Sequence, residues 1–143
     1  MAAAEQGLHS SFRLRMIAIG VALAAGLSAA EAQPSEGRYL FNILKDANYR
    51  RSWSSMISQA GPRESWLRAD NLSGPSGLSK RVSVDGQVFE KADTCMRHDC
   101  GDNQFYVLFA SGGTRAVGAL VQPGRTRFFG KPSPAEQKAL LGP

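Results

Sequence analysis

The sequence predicts an α+β domain, an antiparallel β-meander of four to five strands with helices packed on one face, after a cleaved signal peptide. Three observations support this class: helical spacing of apolar residues over 39–60, an Asp-Gly hairpin motif followed by further strand-like runs, and a helix-capping sequence near residue 133. Strands grouped together between helices are typical of a sheet with segregated helices. A chain of 143 residues has room for one such domain.

The N-terminal segment has the order of a secretory signal peptide. Arg13 and Arg15 precede an apolar run from Met16 to Leu27, and Ala30-Glu31-Ala32 follows. Charged, apolar and A-x-A regions in this order direct export. The apolar run of 12 residues is shorter than the roughly 20 needed to span a bilayer. We therefore predict a signal peptide over residues 1–32 and one exported domain over 33–143, with no membrane insertion after cleavage.

Residues 39–60 carry the first helical pattern. The residues at helical spacing are Tyr39, Leu40, Ile43, Leu44, Ala47, Tyr49, Trp53, Met56, Ile57 and Ala60. This spacing predicts one long helix, or two short ones separated near Asp46 to Asn48, ending at Gly61-Pro62. Trp53 and Met56 are expected in the core, because aromatic and apolar residues at this period line a buried helix face.

Strand-like runs begin after a loop rich in Gly, Pro and Ser at residues 71–79. Asp85-Gly86 stands between β-branched and aromatic residues, which is a strong hairpin motif. A two-residue turn there pairs Val82 with Phe89 and leads the second strand into Cys95.

Three further strands and a helix complete the predicted domain. The run from Phe105 to Ala110 is continuously apolar, as in a central strand buried on both faces. Ala116 to Val121 and Thr126 to Phe129 supply the next two strands. Ser133-Pro134-Ala135-Glu136 then combines a capping residue, a proline and a reciprocal glutamate, so a helix begins there and reaches about Leu141.

The charge of the chain is +5. Removing residues 1–32 subtracts two basic and two acidic residues, so the exported domain keeps the same charge. Basic residues are scattered, and Arg50-Arg51 and Lys80-Arg81 are the only adjacent pairs. We interpret this as a solvated surface and predict no nucleic-acid partner.

The only two cysteines, Cys95 and Cys100, enclose four residues, Met96 to Asp99. Thiols pair in oxidising compartments outside the cytosol, so an exported chain with two cysteines predicts one disulfide. Closing so short a loop stabilises a fold by roughly 2 kcal/mol, less than half of the gain from a loop of about 100 residues. The bridge is therefore expected to set the local shape of the loop.

Several chemistries are disfavoured for this loop. Structural zinc sites draw ligands from two separated pairs, whereas four ligands within six residues cannot easily surround one ion. Thiol oxidoreductases use C-x-x-C, with two residues between the cysteines instead of four. His98 is the only histidine of residues 33–143, and the carboxylates show no acid and base spacing. We predict no enzyme, metal or cofactor. A braced turn and a preorganised recognition element both remain open.

The segment VSVDGQVFEKADTCMRHDCGDNQFYVLFA, residues 82–110, resembles the core of the Ivy family, the inhibitors of vertebrate lysozyme exported by Gram-negative bacteria. That family is marked by a disulfide-closed loop C-K-P-H-D-C, followed by Gly and an apolar strand. The matching residues are Cys95, His98, Asp99, Cys100 and Gly101, while Met96 and Arg97 replace Lys and Pro. The segment ESWL around Trp66 also resembles the family.

The resemblance implies a partner and a set of site residues. The loop, comprising Met96, Arg97, His98, Asp99 and Gly101 with its Cys95–Cys100 bridge, would enter the active-site cleft of a c-type lysozyme. His98 would contact the two catalytic carboxylates, and Asp99 would hydrogen-bond to the cleft wall. The two nitrogens of an imidazole offer two directional contacts, and lysozyme needs both carboxyl groups for hydrolysis. The resemblance also implies a periplasmic location, protection of peptidoglycan from host lysozyme, and a homodimer.

The departures from the family loop favour a second interpretation. Arg97 replaces a proline, which frees a backbone torsion and adds positive charge against basic animal lysozymes. The stretch from Glu90 to Asp102 has four acids and two bases, so attraction at the tip with repulsion overall predicts slow encounter at low salt. The alternative is a periplasmic envelope protein of the same fold that controls the bacterium's own peptidoglycan-cleaving enzymes.

Overall fold

The computed structural model describes residues 37–143. Contacts divide the chain into two units, Met1–Gln33 and Pro34–Pro143, and the fold below concerns the second. The predicted signal peptide, residues 1–32, and the first residues of the predicted domain lie outside the described residues. No helix in the described part is long and apolar enough to span a membrane.

Five antiparallel strands form one sheet in sequential order. They are β1 Lys80–Val84, β2 Gln87–Cys95, β3 Gln104–Ala110, β4 Ala116–Gln122 and β5 Arg125–Phe129. Each strand pairs with the next along the chain, so the sheet is a meander with β3 at its centre. The α+β class and the antiparallel meander are confirmed, with five strands.

The first hairpin has the predicted register. Val82 lies opposite Phe89, and the pair Val84 and Gln87 closes a two-residue turn. Asp85 and Gly86 have φ values of 49° and 78°. Both lie in the left-handed region that a type I′ turn requires, which Asp and Gly tolerate better than bulky residues.

Two helices precede the sheet, which agrees with the alternative of two short helices instead of one long helix. These are α1 Leu40–Ile43 and α2 Ala47–Ile57. The Asp46 side chain accepts a hydrogen bond from the Asn48 backbone N–H at 2.8 Å, which starts α2 after the break. A 3₁₀ helix, Pro62–Leu67, contains the Trp66 segment.

One face of the sheet packs against α1 and α2. Trp53 is fully buried, and its ring meets the Phe105 ring edge-on with centroids 5.3 Å apart. Its indole N–H donates to the Leu67 carbonyl at 2.8 Å, so the 3₁₀ helix is tied to the same core. Trp53 and Met56 are both core residues, as predicted.

The opposite face of the sheet packs against α3, Pro134–Leu141. Leu140 is buried with Leu108 and Val117 in a second apolar cluster. The expectation that all helices lie on one face is therefore wrong for α3. The physical reason lies in the two inner strands: β4 is buried on both sides from Ala116 to Leu120, and Leu108 of β3 is buried on the second face, so that face must also be covered.

Candidate functional site

The connection between β2 and β3 contains the predicted site. Cys95 is the last residue of β2 and is buried, whereas Cys100 is exposed. Their sulfur atoms form the predicted disulfide, with an S–S distance of 2.04 Å and Cα atoms 4.9 Å apart. Because β2 and β3 are inner strands of the sheet, a rigid scaffold holds both ends of this loop.

Inside the disulfide, Arg97 and His98 occupy the centre of a tight turn. The Asp99 backbone N–H donates to the Met96 carbonyl at 2.9 Å and closes the turn. His98 has φ 66°, a left-handed value that is uncommon for residues other than glycine, although histidine adopts it more often than most. Both central side chains are exposed. An exposed residue held in this backbone region is a candidate functional position.

Asp99 braces the loop from within. Its Oδ2 accepts a hydrogen bond from the Asn103 side-chain amide at 2.7 Å, and its carbonyl accepts from the Asn103 backbone N–H at 3.0 Å. The Asn103 Oδ1 in turn accepts from the Gln122 amide of β4 at 2.7 Å. This chain of bonds ties the turn to a third strand, and one oxygen of Asp99 is already used within the protein.

Sequence reasoning missed Asn103 and Gln122. Asn103 stands close to the cysteine motif, but an amide in a polar loop is too common to single out. Gln122 is 19 residues from Asn103, and only strand pairing brings them together. The pairing of Gln104 with Val121 brings Asn103, which precedes β3, next to Gln122 at the end of β4.

A second support comes from the Gly, Pro and Ser loop before β1. The Pro75 carbonyl accepts hydrogen bonds from the Cys95 backbone N–H at 3.3 Å and from the Thr94 hydroxyl at 3.1 Å. A Cβ on Gly74 would lie 1.6 Å from the Cys95 carbonyl oxygen, so only glycine allows this approach. The end of β2 is therefore held from outside the sheet as well.

The remaining predicted site residues differ in surroundings. Met96 is half-buried, and its backbone N–H donates to the Asn103 carbonyl at 2.9 Å. Gly101 is exposed, and a Cβ placed there would meet nothing within 4 Å. Met96 thus belongs to the base of the loop, while local packing does not require glycine at position 101.

The loop presents an exposed imidazole between two disulfide-bonded cysteines. Both sulfurs are oxidised, so neither is a thiolate nucleophile or ligand. Within residues 37–143, no three His, Cys, Asp or Glu side chains are grouped to hold a metal ion. What the loop can do chemically is offer the exposed imidazole and guanidinium of a stiff turn to another molecule.

Two carboxyl groups with perturbed pKa values, Glu90 and Glu136, lie away from the loop. Burial raises the pKa of Glu90, but hydrogen bonds from Arg38 and Ser79 outweigh it and hold this pKa below its ordinary value. A hydrogen bond from Arg115 similarly lowers the pKa of Glu136. These groups brace the fold outside the site.

Comparisons with known proteins point to one family. The family model described as "Inhibitor of vertebrate lysozyme (Ivy)" matches residues 48–142. The inhibitor of vertebrate lysozyme from Pseudomonas aeruginosa is 30% identical over 133 residues, which cover 83% of this chain and 86% of that protein. A second, uncharacterized protein of the same bacterium is 30% identical over 132 residues, covering 82% of this chain and 84% of its own.

Proposed function

Since this chain belongs to the Ivy family of inhibitors of vertebrate lysozyme, we propose that it inhibits a c-type lysozyme by placing His98 in the active-site cleft. The family consists of inhibitors, in agreement with the prediction that the chain is not an enzyme. The observation that carries the proposal is the exposed His98 in a left-handed turn enclosed by a disulfide.

The geometry supports a loop that is already ordered before it binds. A loop that is ordered before binding loses little conformational entropy when it binds. Three restraints act on this loop: the Cys95–Cys100 bridge, the closure of the turn at Asp99, and the amide chain to Gln122. They compensate for the absence of a proline at Arg97, which the sequence alone left as a flexible point.

The roles of the loop residues differ in this proposal. His98 contacts the two carboxyl groups of lysozyme, and Arg97 contacts the rim of the cleft beside it. Asp99 is a positioning residue because its Oδ2 is bonded to Asn103, and its other oxygen is left for the cleft wall. Met96 supports the turn from its half-buried position. Gly101 keeps the exposed return of the loop free of a side chain.

The proposed mechanism is tested by cell-wall lysis and by titration calorimetry with hen or human lysozyme. His98→Asn is the sharper variant, because asparagine tolerates the left-handed backbone while it lacks the imidazole. We expect a loss of at least about 2 kcal/mol of binding free energy, roughly thirty-fold in Kd. Lys138→Gln, which removes a positive charge from an exposed position of α3, is the control and should inhibit like the parent. Equal inhibition by the His98 variant and the parent would contradict the mechanism.

A second candidate function is control of the bacterium's own peptidoglycan-cleaving enzymes, favoured by the exposed Arg97 beside His98 and by the charge of +5. Like charges on inhibitor and lysozyme slow their encounter at low salt. Deletion in the parent bacterium distinguishes the two functions. Altered wall turnover without added lysozyme supports the second, and sensitivity to lysozyme alone supports the first. A periplasmic location is part of both proposals, and a homodimer remains a prediction for ultracentrifugation.

A further inference from the structure

A polar groove lies at the end of the sheet opposite the disulfide loop. It runs between α2, the 3₁₀ turn Ser111–Gly113 that follows β3, and the link between β5 and α3, and its volume is about 820 Å³. This volume is within the roughly 300–1,000 Å³ of ligand pockets. Consecutive turns of a meander alternate between the two ends of a sheet, so the β3–β4 turn and the β2–β3 loop are on opposite sides of the domain.

The lining of the groove is cationic. Arg51, Arg115 and Lys131 contribute to it, and no carboxylate is among the lining residues. Arg115 is paired with Glu136, whereas neither Arg51 nor Lys131 forms an ion pair with any residue of 37–143. Two positive charges are therefore left without a compensating carboxylate at one concave surface, where they raise the local concentration of anions.

Neutral hydrogen-bonding groups stand between these cations. Asn48, Ser52 and Ser55 line the groove from one stripe of α2. Asn48 accepts a hydrogen bond from Arg51 at 3.4 Å, which orients the guanidinium towards this stripe. A ligand that carries hydroxyl or amide groups as well as negative charge complements this surface, and an acidic saccharide has this chemistry.

The backbone at Lys131 has a defined conformation. Gly130 and Lys131 have φ values of 73° and 55°, so two successive residues are left-handed. A Cβ on Gly130 would lie 2.5 Å from the Ala116 carbonyl oxygen, which fixes this link against β4. The Lys131 carbonyl also accepts from Arg115 at 3.4 Å. The lysine is therefore held in place at the rim of the groove.

We propose that this groove binds an acidic saccharide, with its carboxylate or phosphate between Arg51 and Lys131 and its hydroxyl or amide groups against the polar stripe of α2. Arg115, already oriented by Glu136, offers its remaining donors from the third side. This site goes beyond lysozyme inhibition and does not use the disulfide loop. An inhibitor with such a site could stay attached to an anionic glycan while its other end binds the enzyme.

The test is calorimetric titration of the protein with three probes. A disaccharide-peptide fragment of peptidoglycan carries carboxylates, a phosphorylated glucosamine disaccharide carries phosphates, and a neutral chitooligosaccharide carries neither. We expect binding of at least one charged probe, weakening with salt because the contact is ionic. The charged probe that binds identifies the source of the anion. Binding of the neutral probe as tightly as the charged ones, or of none at millimolar concentration, would overturn the proposal.

Two double variants separate the groove from general surface charge. Arg51→Gln with Lys131→Gln should weaken the charged probe at least about tenfold, since two charge-assisted contacts are lost. Lys45→Gln with Arg125→Gln removes the same charge from exposed positions outside the groove and should change the Kd less than about twofold. Equal weakening by both pairs would overturn the proposal. The groove variant should still inhibit lysozyme. A loss of saccharide binding and a loss of lysozyme inhibition can therefore be told apart.

Discussion

The two faces of the sheet hold their helices by different means. On the first face, rings and aliphatic side chains of α1 and α2 interdigitate with those of β3, with Trp53 and Phe105 fully buried. On the second face, α3 contributes Leu140 and small alanines to a smaller apolar cluster. Lys91 of β2 and Arg115, which precedes β4, then form hydrogen bonds at the two ends of this helix.

Hydrogen bonds from charged side chains add to the small apolar contact between α3 and the sheet. The Lys91 ammonium donates to the carbonyls of Ala139 at 2.8 Å and Gly142 at 2.5 Å, satisfying the free C-terminal end of the helix. At the other end, both terminal nitrogens of Arg115 donate hydrogen bonds to the Glu136 carboxylate, with 3.0 Å between Nη2 and Oε2. The comparison teaches that one sheet can be covered by packing on one side and by charge-assisted bonds on the other.

The largest expected effect is on the first face. Trp53→Ala removes a fully buried ring and should lower the free energy of unfolding by about 3–5 kcal/mol, because a cavity is left in a close-packed core. Trp53→Phe keeps an aromatic ring but leaves the Leu67 carbonyl without its donor, so a smaller loss is expected. Urea unfolding measures both, and a loss below about 1 kcal/mol for the alanine variant would contradict this account of the core.

A smaller and local effect is expected on the second face. Lys91→Met keeps the aliphatic stem but leaves two helix-end carbonyls without a donor, at a cost of about 1–3 kcal/mol. Hydrogen exchange should accelerate in α3 and remain slow in α2. Lys80 lies opposite Lys91 in the register and is exposed, so Lys80→Met is the matched control, expected within about 0.5 kcal/mol of the parent. Unchanged exchange in α3 would show that packing alone holds the helix.

The smallest expected effect depends on pH. The hydrogen bond from Arg115 lowers the pKa of Glu136, so this contact stabilises the fold above the ordinary glutamate pKa of about 4.3 and is lost as pH falls through the lower folded value. Glu136→Gln should cost about 0.5–1 kcal/mol at neutral pH, since Arg115 is partly exposed. The difference from the parent should vanish at acid pH. If the free energies of unfolding of the parent and the variant differed by the same amount from pH 7 to pH 3, the effect would be due to packing and not to the charge of Glu136.

The candidate site was predictable in part. Cys95, Cys100 and His98 are recognisable because they form one short motif, and the structure brings them into one turn. The restraints on that turn were not recognisable. Pro75 and Gln122 are about 20 residues before and after the loop. Gln122 is brought there by strand pairing and Pro75 by the packing of the loop before β1, and no local pattern encodes either contact.

Local patterns sufficed for the hairpin at Asp85-Gly86, the cap at Ser133, the disulfide and the alternation of strands. In each case the determining groups are within a few residues of one another, so propensity and spacing carry the information. Three features depend on the packing of distant segments. They are the side of the sheet that α3 covers, the hydrogen bonds from Lys91 to the end of α3, and the groove between α2 and the β3–β4 turn. Their energetics depend on which residues become neighbours in space, and a chain of residues taken in order does not contain that distance information.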